Sequence, residues 1–184
     1  MTFGDRIVGA MRLDPNTFED IERDPTAIGQ AVGVIAIAAV SAGIGNIWYG
    51  GIRGIFGRIV GLLIGYVVWT LLVWLIGTKL MPDPATKADL PETFRVIAFG
   101  AAPGVLSIIT IIPLLGYLLQ AVIWIWMMAA MVVAVRQVLD YTDTVKAVVV
   151  VVIGFVVQWV VAGVITAMMI GTAVLGAVLG GILR

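Results

Sequence analysis

The stretch that decides the fold runs from Val96 to Val135 and reads VIAFGAAPGVLSIITIIPLLGYLLQAVIWIWMMAAMVVAV. It contains no charged side chain over 40 residues, and Arg95 and Arg136 flank it at its two ends. A straight helix of that length would extend about 60 Å, roughly twice the ~30 Å hydrocarbon core of a bilayer. The stretch is therefore too long for one transmembrane span and predicts two.

The chain reverses within Ile112-Pro113-Leu114-Leu115-Gly116. Pro113 has no amide donor and disfavours helix at the residue before it, and Gly116 accepts the dihedral angles of a turn. These residues predict a transmembrane hairpin with arms 96–112 and 115–135. Pro103, inside the first arm, predicts a kink, which is ordinary in membrane helices and also occurs at gates.

Composition extends this prediction to the whole chain. The sequence is 61% hydrophobic and 12% charged, against ~45–50% apolar residues in soluble domains. We predict an all-α fold, a polytopic transmembrane helix bundle with five spans, or six if the C-terminal stretch divides. The predicted spans are 27–47, 59–78, 96–112, 115–135 and 147–170, within a bundle that covers residues 26–184.

Residues 1–25 form the only extended polar segment, predicted to hold two short amphipathic helices at the cytoplasmic surface of the membrane. Asp14 is a predicted N-cap, with Pro15 at the first helical position. The second helix carries acidic residues that could form a cation or partner site, or simply a solvated face. Its candidate docking residues are Phe18, Glu19, Ile21 and Glu22.

Glycines at four-residue spacing predict close helix packing. Gly29 and Gly33 are one such pair, and Gly57, Gly61 and Gly65 form a longer ladder. Small residues at this spacing let two helix backbones approach, either within the chain or between two copies. On this reading, Gly61→Leu would disrupt folding or oligomerisation. The glycine-rich segment 50–58 is predicted to be an interfacial turn.

Few polar residues occur inside the predicted spans. Gln120, Trp124 and Gln158 are the candidates for a polar contact or a cavity. Tryptophans deep in the membrane also fill helix bundles or face lipid, and a lone glutamine often forms a hydrogen bond between two helices. The charge-free stretch 147–183 also exceeds one span. Gly171 marks the favoured break and Gly163 the alternative, so residues 171–183 are either an interfacial tail or part of a sixth span.

The distribution of charged residues predicts the side of the membrane on which each terminus lies. With five spans, one side of the membrane carries eight Lys and Arg residues and all eleven acidic residues, and the other side carries three Arg residues. The positive-inside rule then predicts a cytoplasmic N-terminus and an external C-terminus.

The sequence lacks the residues that most membrane chemistry requires. It has no Cys and no His, and no predicted span carries an ionisable residue at its centre, where proton-coupled proteins and most membrane enzymes place one. We therefore predict no catalytic, cofactor or metal site and no nucleic-acid partner. Two hypotheses follow: a non-enzymatic protein that organises the membrane or scaffolds a partner or a second copy, and a small channel or carrier for a neutral or apolar solute.

Two segments resemble prokaryotic Yip1-domain proteins. The first is the pattern of Leu13, Pro15, Phe18, Ile21 and Pro25 that leads into an apolar helix. The second is the run from Phe94 to Pro103, in which an aromatic-Arg-Val start is followed by a proline. The resemblance covers about residues 12–170, and the five-span plan agrees with it. The compact chain and the absence of Cys suggest a member from a bacterial or archaeal plasma membrane.

The eukaryotic relatives in that family are linked to vesicle traffic, membrane shaping and binding of prenylated small GTPases. The Asp-Leu-Tyr-Gly-Pro motif of those relatives does not occur in this sequence, and their Gly-Tyr motif appears only as Gly116-Tyr117. The resemblance therefore does not transfer GTPase binding to this chain.

Overall fold

The structure, a computed structural model, describes residues 1–45, 47–112 and 114–182, without the side-chain surroundings of 47–58, 169, 170 and 173–182. Within these ranges the secondary structure is entirely helical, which confirms the predicted fold class. The α-helices are α1 (Phe3–Met11), α2 (Pro15–Arg23), α3 (Ile28–Gly45), α4 (Ile47–Leu75), α5 (Leu90–Phe99), α6 (Leu115–Val138) and α7 (Thr144–Ile182). Among the described residues, five helical segments are long and apolar enough to cross a membrane: Pro25–Gly45, Ile59–Leu80, Leu90–Ile111, Leu115–Val138 and Thr144–Met168.

Helix α2 packs on α5 and α6, and beyond α2 itself α1 contacts mainly residues 102–111, which follow α5 in the third span. Thr2 and Asp5 form a capping box on α1, and Asp14 caps α2 with Pro15 at the first position, so local sequence sets both helix starts. The apolar face of α1 turns toward protein, because the ring of Phe3 meets that of Phe99 edge-on with 6.4 Å between centroids.

Two predicted breaks are wrong. The glycine-rich segment 50–58 lies inside α4, and α7 continues as one helix through Gly163 and Gly171, so no separate sixth helix follows within the described residues. Glycine weakens a helix by only ~1 kcal/mol and keeps its amide donor, whereas an unpaired backbone group in lipid costs several kcal/mol. Without a proline, the helix therefore continues.

The third span changes helix type at Pro103. The α-helix α5 ends at Phe99, and a 3₁₀ helix follows from Ala102 to Ile111. A proline ring clashes with the carbonyl four residues earlier, here that of Phe99, so the ordinary helical bond cannot form. Shorter bonds replace it, for example from the Gly104 amide to the Ala101 carbonyl at 2.8 Å. The tighter helix that follows is named here the 3₁₀ segment, and the kink itself stays a prediction.

The hairpin turn places Gly116 in close contact with backbone. Its amide donates to the Ile112 carbonyl at 2.8 Å, and a Cβ added there would lie 2.3 Å from the Thr110 carbonyl oxygen. Leu114, beside it, adopts a φ of 69°. Pro113 falls outside the described residues.

The glycines that permit close packing within the chain differ from those predicted. A Cβ added at Gly29 or Gly61 would meet nothing within 4 Å, and one at Gly33 or Gly65 would make only ordinary contacts at 3.5 and 3.6 Å. The environment of Gly57 lies outside the described side chains. The close approach occurs instead where α3 packs on the 3₁₀ segment, because a Cβ at Gly45 would lie 2.1 Å from the Ser107 carbonyl oxygen.

Candidate intramembrane cavity

A cavity of about 400 Å³ lies among α3, α4, the 3₁₀ segment, α6 and α7. Along α6 its lining residues run from Gln120, near the hairpin turn, to Met131. Most of the lining is aliphatic, aromatic or methionine. Its residues include Ile35, Ala38, Leu62, Tyr66, Trp69, Trp124, Met127, Met128, Met131, Phe155 and Trp159.

The cavity brings together residues that the sequence singled out for different reasons. Gln120, Trp124 and Gln158, the predicted polar and cavity residues, all line it. Gly61 and Gly65, predicted to pack helices, line it as well, and the lack of a side chain at Gly61 leaves open space there.

Gln158 joins α7 to α4 through one half of its amide. Its Nε2 donates to the carbonyl oxygen of Gly65 at 3.4 Å. Its Oε1 is buried and accepts no hydrogen bond within the part of the chain that the structure describes. Buried polar atoms are nearly always paired, so an unpaired oxygen on a residue that lines the cavity is chemically distinctive.

Aromatic rings extend from the cavity toward the membrane. Trp124 of α6 meets Phe155 edge-on at 5.8 Å between centroids, and Phe155 meets Trp159 in the same way at 6.0 Å. Trp124 and Trp159 are 44% and 62% exposed, which places their outer faces against lipid. Phe155 was not singled out from the sequence, although its i,i+4 spacing from Trp159 on one helix face is the signal that identifies it.

Ionisable and metal-binding side chains are few in the part of the lining that the structure describes. Tyr66 carries the only ionisable side chain among the described lining residues, and the Trp69 Nε1 is already directed at the Met131 sulfur at 3.2 Å. No group of three or more His, Asp or Glu residues that could hold a metal ion occurs in the described ranges.

A second, polar cavity of about 190 Å³ lies where α2 meets the end of α6, and we call it the acidic groove. Its lining comprises Glu19, Glu22, Arg23, Arg136, Gln137, Asp140 and Tyr141. The pKa of Glu22 is raised to about 8, first by burial and then by a hydrogen bond with Glu92 and the negative charges of Glu92, Asp140 and Glu19. Burial also raises the pKa of Asp140.

Of the four candidate docking residues, only Glu19 and Glu22 line the acidic groove. Phe18 and Ile21 are fully buried in the hydrophobic core, so they cannot form the exposed surface that the sequence suggested. Helix α2 lies on α5 and α6, and its apolar face is used within the chain. Glu19 and Glu22 stay accessible and line the groove.

Buried Arg6 fixes the N-terminal helices and was not identified as special in the sequence. It is 3% exposed, and its guanidinium donates to Asp20 at 2.8 Å, to Asp24 at 2.8 Å and to Gln30 at 2.9 Å. Hydrogen bonds from Thr26 and Arg6 hold the pKa of Asp24 at about 2. One side chain therefore joins α1, α2 and the start of α3.

We expect stability to fall as pH rises between about 4.5 and 8. The pKa of Glu22 rises from 4.5 to about 8 on folding, so the folded state holds a proton in this window that the unfolded state releases. Glu22→Gln should flatten this slope and, after allowance for solvent screening, gain about 1–2 kcal/mol at pH 8. Unfolding of both proteins across this pH range measures the effect.

Asp5→Asn is the matched control for Glu22→Gln, because hydrogen bonds from Thr2 lower the pKa of Asp5 and keep its titration below the window. A wild-type stability that does not change from pH 5 to 8 would contradict the raised pKa of Glu22.

Comparison with protein-family models decides the family. The Yip1 domain matches residues 8–165, which is most of the chain. The chain belongs to the Yip1 family. Its five apolar spans and the Yip1 domain make it a multi-pass integral membrane protein in contact with the bilayer. Neither the curated proteins nor the solved structures gave a match.

The Yip1 match covers α2 to α6, most of α7 and the last part of α1. Every residue named above as lining the cavity lies inside the matched range, and so does the whole acidic groove. Both features therefore belong to the Yip1 domain itself.

Proposed function

We propose that this Yip1-domain protein is non-enzymatic and binds an uncharged, mainly apolar molecule in its intramembrane cavity. The observation that carries the proposal is the cavity itself. Its volume of about 400 Å³ falls in the range of ~300–1,000 Å³ that is typical of small-molecule sites, and apolar side chains dominate its lining.

The polarity of the lining selects the kind of ligand. A charged ligand would lose its hydration without meeting an opposite charge among the described lining residues, which is costly in a medium of low dielectric constant. An apolar ligand loses nothing comparable. The exposed faces of Trp124 and Trp159 at the edge of the cavity support arrival from the lipid phase.

Filling the space beside Gly61 should reduce binding. The probe is a 16-carbon methyl ether that carries a photoreactive diazirine, added to the protein in lipid nanodiscs. We expect Gly61→Leu to lower saturable labelling at least about fivefold, because the added side chain enters open space in the cavity and overpacks it when the probe binds.

Ile64→Leu, on the same helix at a position that is 59% exposed to lipid, is the control and should label like the wild type. Equal labelling of wild type and Gly61→Leu would count against the cavity as the binding site. Flux of a neutral solute from proteoliposomes then separates a carrier or channel from a protein that only binds.

Partner scaffolding or membrane organisation is the second candidate function, and the acidic groove favours it. A partner would contact Glu19 and Glu22 together with the exposed Arg23, on a face that we place in the cytoplasm from the charge distribution. Pull-downs with wild type and a Glu19→Lys variant test this role. An identical set of partners, or none, would count against docking through the groove.

A further inference from the structure

The unpaired oxygen of Gln158 has a fixed orientation. Nε2 of this side chain donates to the Gly65 carbonyl, and rotating the amide by half a turn would bring two acceptor oxygens together. Oε1 therefore stays on the side without a partner, buried within a residue that lines the cavity.

An acceptor in that position requires a donor. A buried acceptor without a hydrogen bond is destabilising, and the hydrocarbon core of the membrane contains no bulk water that could donate one. A bound molecule that brings a hydroxyl group would gain this bond without displacing any existing one, once a small shift of the neighbouring side chains opens the enclosed Oε1 to the cavity.

The other lining residues limit the charge and polarity of the rest of the ligand. An ammonium donor would introduce a positive charge, and no carboxylate occurs among the described lining residues to pair with it. Trp124, Phe155 and Trp159 instead offer apolar contact between the cavity and the lipid-facing side. A hydroxyl group at the inner end of a hydrocarbon chain matches both requirements.

We propose that the ligand of the cavity is an uncharged lipid alcohol. Its hydroxyl donates a hydrogen bond to Oε1 of Gln158, and its hydrocarbon chain lies along the aromatic rings of Trp124, Phe155 and Trp159. This inference rests on the proposed function and specifies the ligand class that the cavity binds.

A pair of probes tests the inference directly. One is a 16-carbon alcohol with a mid-chain diazirine, and the other is the methyl ether used above, which has the same chain and no donor. In wild-type protein in nanodiscs we expect the alcohol to reach half-saturation at about a tenfold lower concentration, because only the alcohol pairs the buried oxygen.

Two variants separate the hydrogen bond from general packing. Gln158→Leu removes the acceptor and should abolish the preference for the alcohol, while the ether still labels the protein and so reports an intact cavity. Ile64→Leu, at an exposed position of α4 outside the cavity lining, should keep the tenfold preference.

The outcomes distinguish the two claims. Equal half-saturation by alcohol and ether in the wild type would overturn the alcohol inference and leave cavity binding intact. Saturable labelling by neither probe would overturn the proposed function as well. Because the first comparison uses only wild-type protein, it holds even if Gln158→Leu fails to fold.

Discussion

Gly45→Ala will destabilise the bundle by about 3 kcal/mol or more, although it adds a single methyl group. The new Cβ would lie 2.1 Å from the Ser107 carbonyl oxygen and 2.3 Å from the Thr110 hydroxyl oxygen. A carbonyl inside the 3₁₀ segment cannot rotate aside as a flexible side chain can. Helix α3 must therefore move away from that segment, and contacts along its whole length weaken.

Unfolding in mixed micelles at increasing denaturing detergent measures this loss. Gly29→Ala is the matched control on the same helix, because a Cβ there meets nothing within 4 Å. Replacing glycine by alanine at an open helical site should be neutral or stabilise the helix by up to ~1 kcal/mol. Equal stability of Gly45→Ala and the wild type would show that α3 and the 3₁₀ segment are not in close contact.

Arg6→Leu is expected to release the N-terminal helices from the bundle at a cost of about 2–3 kcal/mol. The change removes three hydrogen bonds from a side chain that is only 3% exposed, to Asp20, Asp24 and Gln30. Its partners are partly exposed and regain water, which keeps the cost below that of a fully buried ion pair.

Hydrogen exchange of residues 3–23 and the unfolding transition measure the effect of Arg6→Leu. Arg6→Lys should recover only part of the loss, because an ammonium group cannot reproduce the planar fork that reaches three acceptors. Arg12→Leu, at the exposed end of the same helix, should leave exchange unchanged. Unchanged protection of α1 in Arg6→Leu would contradict the role assigned to Arg6.

Hydropathy and local chemistry were sufficient to predict the spans and the start of α2. The charge-free runs, the hairpin between the third and fourth spans and the cap at Asp14 depend on neighbouring residues or on partition into lipid. Such properties can be read along one segment without knowledge of the others.

The packing partners could not be predicted in the same way. The spacing of Gly61 and Gly65 indicated a helix contact, yet they line a cavity, while Gly45, which was not among the predicted packing glycines, lies against the 3₁₀ segment. A glycine shows that a backbone can be approached, and only the fold determines what approaches it. Phe18 and Ile21 show the same limit. Their position on one apolar face predicts that they are buried, but it does not predict that α5 and α6 are the helices that bury them.

The cavity was partly visible in the sequence, because polar Gln120 and Gln158 stand out in apolar spans. Their convergence, and the contribution of Phe155, required the arrangement of α6 and α7. The unpaired Oε1 of Gln158 follows from the position of the Gly65 carbonyl, 93 residues away along the chain.

Mapping the labelled residues in wild-type protein tests the central claim most directly. The photoreactive 16-carbon alcohol should attach to lining residues of both α6 and α7, such as Met127 and Phe155, and excess unlabelled alcohol should compete it away. Non-competable labelling confined to lipid-facing positions such as Ile125 and Val156 would contradict an occupied cavity.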